Sequence, residues 1–335
     1  MELSRRGRIG AFALALAVAV AIPVYAVASK DDEAFETPVV NATPAAAPGA
    51  RLIPDGTLLV RGVDERATRA DGALYELASR GKPSPAGDLS CKRVTGIVRG
   101  RGICMRVAPD GSSYEGVVFD ERHRPLRRFP IEGIPDRARP SRDGRYVAYT
   151  SFDPAGAAGY FETPQDFSTW TRIVDSRTGK VLLKLEDLTV TKGGRPIKDQ
   201  EAELWGVTFA DGGDYYATLA ARGDHYLIGG RVGSEEARVI RDHVECPSLS
   251  PDGTRIAYKR RIGDTNKWRY HVLDLASRED IALAESRSVD DQPEWLGDDL
   301  VAYSDDESVL AVPADGSGRP SLIARRATSP QFTAR

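Results

Sequence analysis

The sequence predicts an all-β protein, a six-bladed β-propeller of four-stranded antiparallel blades. The 335 residues include 32 Gly and 21 Pro, and the apolar segments after residue 50 are short. This composition is typical of short strands joined by turns. A short strand pattern also recurs at a nearly constant interval, and the two ends of the repeated region complement each other.

The clearest copy of the repeat is CPSLSPDGTRIAYKRR at residues 246–261, where a Ser-Pro-Asp-Gly turn precedes the triplet Ile-Ala-Tyr. Related triplets begin at residues 59, 103, 147, 216, 256 and 301. Four of the five intervals are 40 to 45 residues, and the fifth, of 69, carries an insertion. A period in the low forties, with turns between short strands, is typical of a propeller blade. Ser250 and Asp252 are therefore interpreted as turn residues.

Each triplet is assigned to the second strand of a blade, and the segments at 170–185, 268–284 and 309–325 supply third and fourth strands. The final ATSPQFTAR resembles a first strand with no second strand after it, whereas RLIPDGTLLV at residue 51 has little before it. We therefore expect residues 328–333 to pair with the first blade and close the ring. The alternative is a frayed tail, which is common at chain termini.

The segment 1–28 has a basic start, an apolar run and an Ala-x-Ala sequence that ends at Ala28. This pattern predicts a signal peptide cleaved between Ala28 and Ser29. The alternative is a retained membrane anchor, because the run is about long enough to cross a bilayer as one helix. Both alternatives export the remaining chain. Residues 29–50 are rich in Pro, Ala and charge and predict a flexible linker, so that the propeller occupies residues 51–335.

The charge and motif content excludes several classes of function. Lys and Arg total 46 against 49 Asp and Glu, so there is no basic excess, and nucleic acid is not expected as a partner. The sequence contains no nucleophile elbow, zinc-peptidase motif or phosphate-binding glycine loop, so no catalytic residue is assigned. No cofactor or metal site is expected, because the four histidines are scattered and no CxxC occurs. Calcium is the alternative at the paired acids 290–291, 298–299 and 305–306.

Cys91 and Cys104 flank the predicted first two strands of the second blade. Export to an oxidising compartment makes a disulfide between them the expected state. An ideal tight hairpin does not place the two residues opposite each other, so the bridge needs a bulge or a longer loop. Cys246 is left over and is expected to be a small, buried, apolar side chain.

The copies SPDGTRIAYK, SRDGRYVAYTS and QPEWLGDDLVAYS, joined by strands such as WRYHVLDLASRE, resemble the repeats of TolB-like six-bladed propellers. The resemblance covers essentially everything after the linker and is greatest to the secreted TolB-like proteins of actinobacteria. It implies an extracytoplasmic, non-enzymatic platform that binds a protein or peptide of the cell envelope. A monomer is expected, with membrane contact only through the N-terminal segment if that segment is retained.

The chain departs from TolB in one respect. TolB carries a separate α/β domain before its propeller, whereas here a linker of about twenty residues occupies that place. The resemblance therefore does not extend to a role in the Tol-Pal envelope system, and it indicates the fold more specifically than the function.

Two classes of function follow from these observations. The first is binding of a protein or peptide by the loop face or the central funnel, and the alternative is a propeller hydrolase or lyase with acidic residues at the funnel mouth. Carboxylates that converge on one pocket would favour the enzyme. The inserts at 152–168 and 186–200 are the candidate binding loops, because loops on a rigid ring often carry function.

Overall fold

The computed structural model describes residues 44–63, 72–98, 101–153, 168–263 and 265–334, and of residues 94–98 and 334 only the backbone is described. The predicted signal segment and cleavage site, most of the predicted linker and residues 154–167 of the first insert lie outside these ranges. In the ranges described, no helix has the length and apolar character needed to span a membrane.

In chain order the strands are β1 (Ala45–Ala46), β2 (Gly56–Gly62), β3 (Gly72–Leu77), β4 (Ser84–Cys91), β5 (Arg93–Val98), β6 (Arg101–Val107), β7 (Tyr114–Asp120), β8 (Pro125–Ile131), β9 (Ile134–Pro140), β10 (Tyr146–Phe152), β11 (Thr169–Asp175), β12 (Val181–Lys184), β13 (Thr189–Lys192) and β14 (Arg195–Pro196). They continue with β15 (Glu203–Phe209), β16 (Asp214–Ala221), β17 (Asp224–Arg231), β18 (Glu236–Asp242), β19 (Glu245–Leu249), β20 (Arg255–Arg261), β21 (Trp268–Asp274), β22 (Asp280–Ala282), β23 (Glu294–Leu296), β24 (Leu300–Asp305), β25 (Ser308–Pro313), β26 (Ser321–Arg325) and β27 (Ala327–Ala334). Short 3-10 helices lie at Pro48–Leu52, Leu185–Asp187 and Asp211–Gly213.

These strands form six sheets, which are the blades of a propeller. From the innermost strand outward, the blades are β27-β2-β3-β4, β5-β6-β7-β8, β9-β10-β11-β12, β15-β16-β17-β18, β19-β20-β21-β22 and β23-β24-β25-β26. Blade four is extended by β13, which runs parallel to β18, and by β14, whereas blade six is extended by β1. The predicted six-bladed architecture is confirmed.

The repeated triplet lies on the second strand of every blade, at β2, β6, β10, β16, β20 and β24. Its small central residue faces one neighbour and its larger residues face the other, because side chains alternate along a strand. In blade five, Ala257 packs against Val301 of blade six, whereas Ile256 and Tyr258 pack toward Leu227 of blade four. The triplet therefore forms the apolar contact between successive blades.

The turn before the triplet is held by a serine and an aspartate. Ser250 Oγ donates to Asp252 Oδ1 at 2.5 Å and accepts from the Arg255 backbone N–H at 2.9 Å. Ser141 makes the same bond to Asp143 at 2.6 Å in blade three. Both serines therefore act in turns, where a hydroxyl replaces a backbone partner.

The ring is closed by β27, which pairs antiparallel with β2 from Gly56 opposite Ala334 to Gly62 opposite Ala327. This pairing confirms the predicted closure in place of a frayed tail. At the other end of the described chain, Ala45 and Ala46 pair with β26, so the chain enters along the outer edge of blade six.

Cys91 and Cys104 form a disulfide, with their Cα atoms 5.4 Å apart. The strand assignment of Cys91 differs from the sequence-based one. Cys91 ends β4, the outer strand of blade one, whereas Cys104 lies on β6 of blade two opposite Val94. Only Lys92 separates β4 from β5, so the bridge connects two successive blades instead of spanning a hairpin.

Candidate functional site

The central channel is lined by the innermost strands, which contact one another in ring order. Five of these six strands, all except β23, shift register against their neighbour within the blade. The shifted segments contain Gly206, Cys246 and Ser329, whose φ values are 67°, 52° and 53°. A β-bulge of this kind turns side chains away from the strict alternation of a strand. Here the bulges place consecutive residues, such as Asp136 and Arg137, at the channel.

An ion pair between largely buried side chains crosses the channel. Arg139 Nη1 on β9 donates to Glu294 Oε2 on β23 at 2.8 Å, and Nη2 donates to the Pro293 carbonyl at 3.1 Å. With its amide oxygen turned toward the guanidinium, Gln292 accepts from Arg139 at 2.6 Å and 3.0 Å. Blades three and six face each other in a six-bladed ring, so these bonds cross the channel axis. The side chains of the pair therefore obstruct the channel at this level.

A second layer of charged side chains lies beside the ion pair of Arg139 and Glu294. Arg93 of blade two lies 3.4 Å from Asp136 of blade three and 3.5 Å from Asp291. Arg137 Nε donates to Asp136 Oδ2 at 2.7 Å, and its Nη1 lies 2.8 Å from the Cys246 sulfur of blade five. Cys246 is buried as expected, but its surroundings are charged instead of apolar.

The protonation states of this layer follow from the balance of burial and charge. Burial raises the pKa of Asp136, but Arg137 and Arg93 outweigh it and hold the pKa below its usual value. Burial likewise opposes ionisation of Asp290, and Lys259 and Arg137 lower its pKa. Both aspartates are therefore carboxylates at neutral pH. Burial raises the pKa of Cys246, so its thiol is neutral there.

At the funnel mouth these charges border a cavity of about 320 Å³, here called the mouth pocket. Its walls carry the aromatic side chains of Phe152, Trp205 and Trp268. Trp268 Nε1 donates to Glu245 Oε1 at 3.0 Å, and the Lys259 Nζ lies 4.8 Å from the centre of the Trp268 ring. The mouth pocket therefore combines flat apolar walls with fixed charges. The charged residues that line it are Asp136, Arg137, Glu245, Lys259, Arg261 and Asp290.

A second cavity of about 330 Å³, here called the acidic pocket, shares Asp290 with the mouth pocket. It is lined by Asp291 and by the acidic sequence 305–307 on the turn between β24 and β25. Thr328 and Ser329 of the closing strand complete its wall. Together the two pockets form one polar surface at the funnel mouth.

The two predicted binding loops contribute differently. Residues 154–167 of the first insert lie outside the described ranges, but Phe152 at its start and Thr169 directly after it line the mouth pocket. The second insert forms β13 and β14 and borders a separate cavity of about 310 Å³ with Glu186 and Glu203. In that cavity burial raises the pKa of Glu203 although Thr169 donates hydrogen bonds to it.

The paired acids predicted from the sequence separate into two groups. Residues 290–291 and 305–306 meet at the acidic pocket, whereas Asp298 lies at an exposed turn where its carbonyl accepts from Arg255 at 2.6 Å. Among residues 44–334 that are described, no group of three or more His, Cys, Asp or Glu side chains is arranged to hold a metal ion.

Several residues of the mouth pocket were missed by sequence reasoning. Trp205 and Trp268 lie on predicted strands but carry no motif, and their convergence depends on the ring geometry. The sequence does contain a signal for the channel cations. Asp-Arg-Ala-Arg at 136–139 places charged residues on an innermost strand, whereas a strand that only packs against its neighbours is expected to be apolar. Likewise Lys-Arg-Arg at 259–261 directly follows the triplet.

Comparisons with known proteins agree with this architecture. No family model matches the sequence, and no curated protein does. The structure is similar to TolB from Acinetobacter baumannii, with a TM-score of 0.57 and 14% identity over 83% of this chain and 67% of that one. A putative TolB from Agrobacterium tumefaciens gives a TM-score of 0.46 with 10% identity over 84% and 99% of the two chains. An oligogalacturonate lyase in complex with manganese gives 0.38 with 13% identity over 81% and 90%.

The fold and the site together define a six-bladed β-propeller whose channel is crossed by an ion pair. Within that class the fold is similar to that of TolB from Acinetobacter baumannii. At 14% identity the similarity concerns the fold, and function must be argued from the site.

Proposed function

We propose that this protein is an extracytoplasmic, non-enzymatic binding platform that holds a peptide segment of an envelope protein at the funnel mouth. The observation that carries the proposal is the mouth pocket, in which Trp205, Trp268 and Phe152 stand beside fixed charges of both signs. Aromatic anchors with a polar border are typical of peptide and protein recognition. The predicted export signal and the TolB-like fold support the extracytoplasmic location.

The pocket also fits a binding role because its floor is rigid. Five of its six charged side chains, all except that of Asp290, belong to strands, and Arg137, for example, is already paired with Asp136. A pre-organised surface loses little side-chain freedom when a ligand binds. A single segment of a partner can therefore be recognised without rearrangement of the ring.

The alternative function, a hydrolase or lyase, has weaker support. Carboxylates do converge on the mouth pocket, as that alternative requires. A general acid, however, needs a pKa raised toward the working pH, whereas cations lower the pKa of Asp136 and Asp290. These carboxylates are better suited to binding cationic or hydrogen-bonding groups of a ligand.

The experiment is capture of partners from cell envelopes with the tagged protein, followed by calorimetry with the captured partner. Trp268→Ala removes one aromatic wall, and we expect it to weaken binding at least tenfold, on the order of an interface hot spot. Deletion of residues 153–168 removes the insert that leaves and rejoins the ring at the pocket and should also weaken binding.

Leu126→Ala is the control, because Leu126 is 50% exposed on β8, the outermost strand of blade two, and that strand contributes no residue to the mouth pocket. It should bind the partner like the wild type. A partner that binds Trp268→Ala and the deletion variant as tightly as the wild type would exclude the funnel mouth as its binding site.

A further inference from the structure

We propose that the mouth pocket recognises a carboxylate of the bound peptide, which Lys259 and Arg261 hold after it displaces the resident carboxylate of Asp290. This inference rests on the peptide-binding function proposed above and adds the chemistry of the group that enters the pocket. The occupant is a peptide with a free carboxylate next to an apolar side chain, such as a C-terminal aromatic residue.

The first observation is a shortage of hydrogen-bond acceptors in the mouth pocket. The Nε of Arg261 is buried and has no hydrogen-bond partner in the described part of the chain. Its nearest carboxylate oxygen, Glu245 Oε1, is 3.4 Å away and already accepts from Trp268. A buried donor without an acceptor is costly, and a ligand oxygen would satisfy it.

Lys259, although it has a hydrogen-bond partner, also has further donors to offer among the residues described. Its side chain is only 2% exposed, and the hydrogen bond recorded for its three-donor ammonium group goes to Asp290. The adjacent Trp268 ring offers a π face instead of an acceptor. Lys259 and Arg261 lie on the same strand two residues apart, so both can reach one carboxylate group.

The second observation is that the position of Asp290 allows its carboxylate to move out of the mouth pocket. Its side chain is 40% exposed, against 2% for Lys259 and 14% for Arg137. It lies on the irregular segment between β22 and β23, whereas its cationic partners lie on strands. An exposed carboxylate on an irregular segment can move away without breaking the sheet.

The charge balance predicts what should replace Asp290. With Asp290 in place, the three cations Arg137, Lys259 and Arg261 face three anions, which also include Asp136 and Glu245. Without it, three cations face two anions, which leaves one positive charge. A single carboxylate restores neutrality, and the aromatic walls select an apolar group beside it.

The experiment uses N-acetyl-L-phenylalanine as the probe and its C-terminal amide as the matched control, each titrated calorimetrically into the full protein. We expect the acid to bind about tenfold more tightly than the amide, as charge-assisted hydrogen bonds predict. Arg261→Gln should remove most of this preference. Asp290→Asn should strengthen binding of the acid several-fold and leave the amide unchanged, because the competing carboxylate is gone.

The control variant is Arg260→Gln. Arg260 is adjacent in sequence and 44% exposed, but it lies next to Asp280 on the outer strand β22 at 3.4 Å. It should bind both probes like the wild type. Thermal unfolding of each variant checks that the ring is intact.

Three results would overturn the proposal: acid and amide bind equally, the acid does not bind at millimolar concentration, or Asp290→Asn weakens acid binding. The last result would mean that Asp290 helps to hold the ligand. If the envelope partner depends on Trp268 but not on Arg261 or Asp290, the peptide-binding function stands and the carboxylate subsite falls. If the partner does not depend on Trp268 either, the proposed function falls first.

Discussion

Arg139 is the residue on which the shape of the funnel depends. Its guanidinium reaches from blade three to Glu294 on blade six, and the Arg139 side chain is 12% exposed, against 14% for the glutamate side chain. Two charges at this depth are stabilising only as long as they remain paired, because each is costly to desolvate alone. The pair thus connects opposite blades across the channel.

Arg139→Met should lower the free energy of unfolding by about 3–5 kcal/mol, because it leaves Glu294 buried without its cation. Burial raises the pKa of Glu294 even beside Arg139, so its folded pKa lies above the unfolded value. Stability linked to this carboxyl is therefore present at low pH and is lost as the pH rises through the folded pKa. Urea unfolding at pH 5 and pH 8 should show the larger deficit at pH 8.

The matched variant replaces both partners, Arg139→Met with Glu294→Met. It should recover most of the lost stability, since an apolar pair of similar volume is often as stable as a buried ion pair. A double variant that is as unstable as Arg139→Met alone would show that the unpaired Glu294 carboxylate is not the cause of the lost stability.

For single residues, the sequence predicts roles in turns better than roles in the candidate site. The roles of Ser250 and Asp252 follow from local spacing, because a turn involves only neighbouring residues. The contact between Arg137 and Cys246 joins residues 109 positions apart through a bulge on each strand. No local pattern encodes such a contact, and the ring geometry is needed to find it.

Among the elements, blades one and two are distinguished by a covalent link between them. The disulfide joins the end of β4 to the middle of β6, and both cysteines are fully buried. The other pairs of successive blades are held by packing of the triplet residues and by polar contacts, as between Arg241 of blade four and Asp280 of blade five at 2.6 Å. The bridge therefore fixes the first two blades as a unit.

The double variant Cys91→Ala with Cys104→Ala should unfold at lower urea concentration, with a loss of about 2–4 kcal/mol. The closed loop spans 13 residues of sequence, and the chain-entropy model gives about 3 kcal/mol for a loop near that length. Cys246→Ala does not remove a bridge and serves as the comparison for loss of a buried sulfur. Equal stability of the double variant and the wild type would contradict a stabilising role for the bridge.

The sequence predicted the pairing of these cysteines but placed Cys91 in the wrong blade. The segment from Leu89 to Cys104 contains only one residue between β4 and β5, so no turn signal marks the boundary between the blades. Strand ends of this kind are set by which neighbour the strand pairs with. The choice of neighbour is a tertiary contact, which a local sequence pattern does not encode.

The whole ring depends on strand β27, which follows every other strand in the chain and completes blade one. The six-fold repeat and this closure could be predicted from the sequence, because the triplet spacing and the incomplete end segments are periodic features. The contacts among the channel charges could not be predicted in the same way, because their partners come from blades two, three, five and six together.

Removal of residues 327–335 should prevent formation of a stable ring, because β2 would present an unpaired edge and the cores of blades one and six would open. We expect loss of near-ultraviolet circular dichroism and aggregation in size-exclusion chromatography. Removal of Arg335 alone leaves the pairing from Ala327 to Ala334 intact and should have no effect. A truncated protein that remains monomeric and cooperative in unfolding would contradict this account.

The closing strand also gives the protein an order of assembly. A chain made from its N-terminus releases β2 before the strands of the other five blades and its partner β27 after them, so the first blade of the ring to emerge is the last of the six to be finished. Thr328 and Ser329 on that strand border the acidic pocket, so the funnel mouth is incomplete until the same moment. A chain that lacks β27 therefore has neither a closed ring nor a complete funnel mouth, so the surface proposed to bind the ligand forms only together with the ring.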